Sequence, residues 1–79
     1  MTPNQAEDWL AGYEAAVRDF WRGVCEQMAA KADADAVMYS RRADDDAIAG
    51  HGYAARGARD DAAICRQGAR QLRRWAGEP

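Results

Sequence analysis

The chain reads as an all-α protein, one helical domain over residues 1–79, and three observations carry that reading. Large apolar residues recur at steps of three and four from Trp9 to Met28, alanine is very abundant, and the β-branched residues that favour sheets are scarce. The expected architecture is a small three-helix bundle. A long two-helix hairpin that self-associates is the alternative. A chain of 79 residues buries only ~60–65% of the surface it exposes when unfolded, so a partner or a second copy would widen a thin stability margin.

The first helix is expected from about Pro3 to about Ala30. Thr2 can cap it, Pro3 fits its first turn, and Glu7 and Asp8 lie near the positive end of its dipole. Trp9, Leu10, Tyr13, Val17, Phe20, Trp21, Val24 and Met28 share one side of it, and Glu14 with Arg18 makes an i,i+4 pair in the favourable order. Gly12 and Gly23 each cost roughly 1 kcal/mol relative to alanine, which suggests close backbone approach at both.

Over Ala30-Lys31-Ala32-Asp33-Ala34-Asp35 the propensity stays helical, but the apolar stripe loses phase on Lys31 and Asp35, so a bend is expected near 30–34. A second apolar set, Ala34, Val37, Met38, Ala47 and Ile48, leads to a stop at Gly50-His51-Gly52. The last helix is expected from about Tyr53 to about Trp75, with Ala54, Ala58, Ala62, Cys65, Ala69, Leu72 and Ala76 inside, Gly57 and Gly68 beside them, and Gly77 as a cap.

Bulky ridges on the first helix are expected to face this small-residue row, at the lower end of the usual 8–10 Å between axes. The bundle brings Cys65 level with residue 27, beside Cys25. The hairpin instead sets Cys65 opposite residue 36, about 16 Å along the axis from Cys25. Either topology leaves Trp9, Leu10 and Tyr13 short of cover, and an open aromatic patch marks an interaction surface.

The net charge of −2 is unevenly spread. Residues 1–35 hold seven acids and three bases, 36–61 five and four, and 62–79 one acid and four arginines. Two cysteines do not make a secreted disulfide framework, Met1 to Glu7 has neither a basic region nor an apolar run, and no stretch approaches the ~20 apolar residues that span a bilayer. The expectation is a cytoplasmic protein with reduced thiols and no membrane contact.

No acid, base and nucleophile converge, so neither catalysis nor a small-molecule substrate or cofactor is expected. His51 between glycines reads as an exposed turn residue, and Cys25, Cys65 and His51 match no zinc spacing, so no metal is expected. Asp44, Asp45, Asp46, Asp60 and Asp61 gather five carboxylates at the turn end. Arg41, Arg42, Arg56 and Arg59 are near enough to make that a solvated, paired face; an acidic surface that competes for a nucleic-acid-binding protein is the functional alternative. Arg59, Arg66, Arg70 and Arg73, with Arg74 beside them, follow one side of the last helix. They read as a solvated face suited to the negative end of the dipole, or as phosphate contacts with a marked salt dependence.

Trp9, Gly12 and Ala15-Ala16, then Cys25 and Met28-Ala29, then Ala62-Ala63, Arg66, Ala69-Arg70 and Leu72 together give a chain similar in style to short alanine-rich helical open reading frames of phages and prophages. Small anti-CRISPR proteins are drawn from such genes. The resemblance implies an inhibitor that binds a CRISPR effector complex and blocks target DNA binding or nuclease recruitment, and it carries over no functional residue. The expected partner is therefore a protein, for instance a nucleic-acid-binding complex, met through Trp9, Leu10, Tyr13 and the turn-end aspartates, or else a second copy. The alternative is a small helical DNA-binding or regulatory dimer that uses the arginines.

Overall fold

A computed structural model describes residues 2–77, which form two helices joined by one turn: α1, Pro3–Ile48, and α2, Gly52–Gly77. Thr2 caps α1 as expected. Its hydroxyl accepts the Gln5 N–H at 3.3 Å while its own N–H donates to Gln5 Oε1 at 2.9 Å, a reciprocal capping box with Pro3 at the first position. At the far end Gly50 takes φ +82°, its N–H donates to the Ala47 carbonyl at 3.1 Å, and the His51 N–H donates to the Asp46 carbonyl at 2.7 Å. This double closure satisfies the last carbonyls of α1 and reverses the chain.

The hairpin forms; the three-helix bundle and its bend at 30–34 do not. Ala30 to Asp35 contains no glycine or proline, so the shift of apolar phase there changes which face packs and leaves the backbone bonds intact. The resulting body is a rod of 71 × 13 × 12 Å with a radius of gyration of 20.1 Å, against about 12 Å for a compact domain of this length.

α2 lies antiparallel along the second half of α1. Cys25, Ala29, Ala36 and Ala43 of α1 and Ala55, Ala58, Ala62, Ala69 and Ala76 of α2 are the buried residues. With half-buried Ala32, Tyr39 and Asp46 on one side and Cys65 and Leu72 on the other, each set advances by alternating steps of three and four. That is a heptad seam of two helices. The turn fixes its register, setting Ala43 level with Ala58, Ala36 with Cys65 and Ala29 with Leu72. Nine of these fourteen knobs are methyl groups of alanine. The axes can therefore run close, and the largest fully buried side chain is only Cys25.

Several packing expectations are corrected by this seam. The bulky stripe of α1 does not face α2; alanine faces alanine, because the stripe lies roughly 100° around α1 from the seam. Ala34, Val37, Met38, Ala47 and Ile48 are exposed, and their neighbours Ala36 and Ala43 pack instead. Ala54 is exposed and Ala55 takes its place in the inner row of α2. Gly12, Gly23, Gly57 and Gly68 have nothing within 4 Å of the place where a methyl group would stand, so none marks a close approach of backbones. Gly77 is still helical, not a cap. Cys65 stands about 16 Å along the axis from Cys25, and both are free thiols. A disulfide between them is out of reach, since it needs Cα atoms within ~7 Å.

Candidate interaction surface

Because α2 is only 26 residues long against the 46 of α1, it ends beside the middle of its partner. Its last contact is made by Arg22, whose Nε donates to the Ala76 carbonyl at 3.3 Å. Residues 3–21 extend beyond that point as a single helix with every side chain exposed. The cap and the continuous hydrogen-bond ladder keep this overhang helical, since adding turns to an existing helix avoids the nucleation cost.

The overhang carries the apolar stripe. Trp9 is 61% exposed, Tyr13 57% and Phe20 73%, with Leu10, Val17 and Trp21 about half exposed. Trp9 and Tyr13 stack on each other, ring centroids 5.5 Å apart and planes 9° from parallel. The expected shortfall in cover at Trp9, Leu10 and Tyr13 therefore holds and extends through Trp21. Each large side chain left in water forgoes roughly 1.5–3 kcal/mol of burial. The stripe ends beyond Met28, where the same line of the helix runs onto Lys31 and Asp35, paired at 2.9 Å. That hydrogen bond, and then the carboxylate's charge, raises the Lys31 pKa above its ordinary value.

One further residue joins the patch, and sequence reasoning missed it. On one flank of the seam Arg73 pairs with Asp33, and Arg66 Nη2 donates to Ser40 Oγ at 2.8 Å. In an antiparallel pair the residues on the opposite flank must then share the opposite groove. Heptad position puts Met28 and Trp75 there, so Trp75, 43% exposed in the last turns of α2, continues the surface that begins at Trp9. The signal for this was the seven-residue spacing of Ala55, Ala62, Ala69 and Ala76, which fixes the seam of α2 and hence its flanks.

The arginines divide in two. Arg59, Arg66 and Arg73, seven apart, follow the groove beside α1, whereas Arg70 and Arg74 point away from it with Ile64, Gln67 and Gln71 nearby. The hydrogen bond from Arg73 holds the Asp33 carboxyl below its ordinary value and raises the Arg73 guanidinium in turn. Two of the five expected phosphate contacts are thus engaged within the chain.

At the turn end the aspartates do share one end of the rod, but they radiate from it. Asp44 and Asp45 are exposed on successive sides of α1, and Asp60 and Asp61 are exposed on α2. Asp46 alone is turned inward, at a seam position, with a carboxylate oxygen 3.9 Å from His51 Nδ1. Cys25, His51 and Cys65 occupy three separate levels of the rod, and no group of metal-binding side chains forms among the described residues. No helix among them is long and apolar enough to cross a membrane. No family model matches the chain, and neither a curated protein nor a solved structure matches it.

Proposed function

We propose that this chain is a non-catalytic helical interaction protein that acts by occupying another protein's surface with the α1 stripe. One observation carries the reading. Six large apolar side chains between Trp9 and Trp21 stand on a stretch of helix that nothing else among the described residues covers, and apolar area of that extent on a small protein is the mark of a contact surface. Exposed acids on the same overhang, Glu7, Asp8, Glu14 and Asp19, supply the polar rim that such a surface needs.

The resemblance to short helical phage proteins selects the partner to try first, a CRISPR effector complex that is kept from its target DNA or its nuclease. The test is target-duplex capture by a purified effector complex with increasing amounts of this protein. Native protein is expected to inhibit, and the double variant Trp9→Ser with Tyr13→Ser to lose inhibition while keeping its helical dichroism. Full capture in the presence of excess native protein discards that partner. Equal potency of the variant moves the working surface elsewhere. A gel shift of DNA by the protein alone, lost at high salt and weakened by Arg70→Gln with Arg74→Gln, would instead favour the DNA-binding reading.

A further inference from the structure

We infer that in the free protein the α1 stripe is closed by the stripe of a second copy of this chain, laid antiparallel across it and displaced when a partner's surface takes its place; the inference rests on the stripe being the working surface. Three observations select a second copy. The first is area. The chain exposes 6086 Å², whereas a compact protein of 8.7 kDa exposes about 4,700 Å². That excess, about 1,400 Å² per chain, exceeds the ~800 Å² that each partner gives up in a standard interface.

The second is self-complementarity. Ala6, Leu10, Tyr13, Val17, Phe20 and Val24 advance by alternating fours and threes, a second heptad line on α1 distinct from the alanine seam. Reversed about a two-fold axis near Ala15, the line meets itself. Leu10 comes level with Phe20 of the second copy, Tyr13 with Val17, and Ala6 with Val24. On one flank Ala16 meets its own counterpart and Trp9 comes over Gly23, which has open space where a methyl group would stand. The start of α1 then reaches as far as Met28 and Trp75 of the second copy, so the whole patch is covered.

The third is charge. Residues 3–21 hold four acids and one base, and residues 66–77 hold four arginines and no acid. The antiparallel arrangement carries Glu7 and Asp8 to the level of Arg22, where α2 of the second copy ends. A parallel pairing would lay acid beside acid along the whole overhang, whereas the antiparallel one sets only Glu14 against its own counterpart.

Sedimentation equilibrium over a concentration series tests the inference. Twice the chain mass is expected for native protein, and Leu10→Ser with Phe20→Ser is expected to weaken the dimer about 100-fold or more without loss of helicity. In a Cys25→Ala, Cys65→Ala background, Ala16→Cys is expected to link two copies on mild oxidation. Ala11→Cys, on the other side of the helix, is expected to stay reduced. A chain that sediments as a monomer throughout, or a dimer that cross-links through Ala11→Cys and not Ala16→Cys, overturns it. Should the chain be monomeric while Trp9→Ser with Tyr13→Ser still abolishes effector inhibition, the dimer is wrong and the interaction reading stands. A dimer without effector inhibition supports the dimer and discards that partner.

Discussion

The two halves of α1 are equally helical and are held for different reasons. From Arg22 to Ile48 the helix is paired, its alanines set against those of α2 with little area per residue but many residues in register. From Pro3 to Trp21 it carries four of the chain's seven aromatic side chains and packs none of them against α2. The contrast teaches that bulk and burial are separable. A seam of methyl groups can fix a hairpin while the larger side chains are kept for contact outside it.

A charge placed in each half gives the largest expected difference. Ala62→Asp buries an unpaired carboxylate in the seam and is expected to cost of order 3 kcal/mol, enough to abolish the cooperative melt of the hairpin followed at 222 nm. Ala11→Asp, exposed on the overhang, costs only about 0.5–0.7 kcal/mol of helix propensity. Equal melting temperatures for the two variants would show that the seam has been misplaced.

Glycine substitutions come next, at roughly 1 kcal/mol each. Gly50→Ala forces a side chain into the left-handed region at φ +82° and is expected to lower the melting temperature. Gly57→Ala, with open space around it, is expected to raise that temperature by stiffening the paired region. Gly12→Ala adds the same propensity to the overhang. It is expected to deepen the dichroism at 222 nm and leave the hairpin melt in place. A shift of the melt as large as that from Gly57→Ala would mean that the two halves unfold together.

The smallest effect is the pH dependence of the Asp33–Arg73 pair, which lies at the surface and is screened by solvent. Because the folded-state pKa of Asp33 is held below its ordinary value, the stability it adds is present above that value and is lost as pH falls through the lowered one. Asp33→Asn should therefore narrow the gap in melting temperature between neutral and acidic solution by a small amount. An unchanged gap would show that the pair contributes nothing.

Helicity, the cap at Thr2, the reversal at Gly50-His51-Gly52 and the shortage of cover at Trp9 and Tyr13 were all legible in the sequence. Each depends on residues within a turn or two of one another, or on counting outward from the glycines. The face on which the helices meet was not legible in the same way. The larger side chains of α1 were the natural candidates for its core, and the alanine row of α2 could have been read as a floor for them. Heptad spacing was present in both Ala29, Ala36 and Ala43 and Ala55, Ala62, Ala69 and Ala76, but a line of alanines has a weak hydrophobic signal beside a line of aromatics.

Local chemistry thus determined where helices begin, end and turn, because caps, propensity and a left-handed glycine act through short-range sterics and hydrogen bonds. Only the tertiary structure decided that Phe20 and Trp21 stay outside with Trp9 and Tyr13, that Cys25 and Cys65 are parted, and that Trp75 joins the N-terminal patch. Those outcomes follow from unequal helix lengths and from the register that one turn imposes. Antiparallel pairing carries each residue to a partner dozens of positions away, and a shorter second helix leaves the first without cover where its side chains are largest.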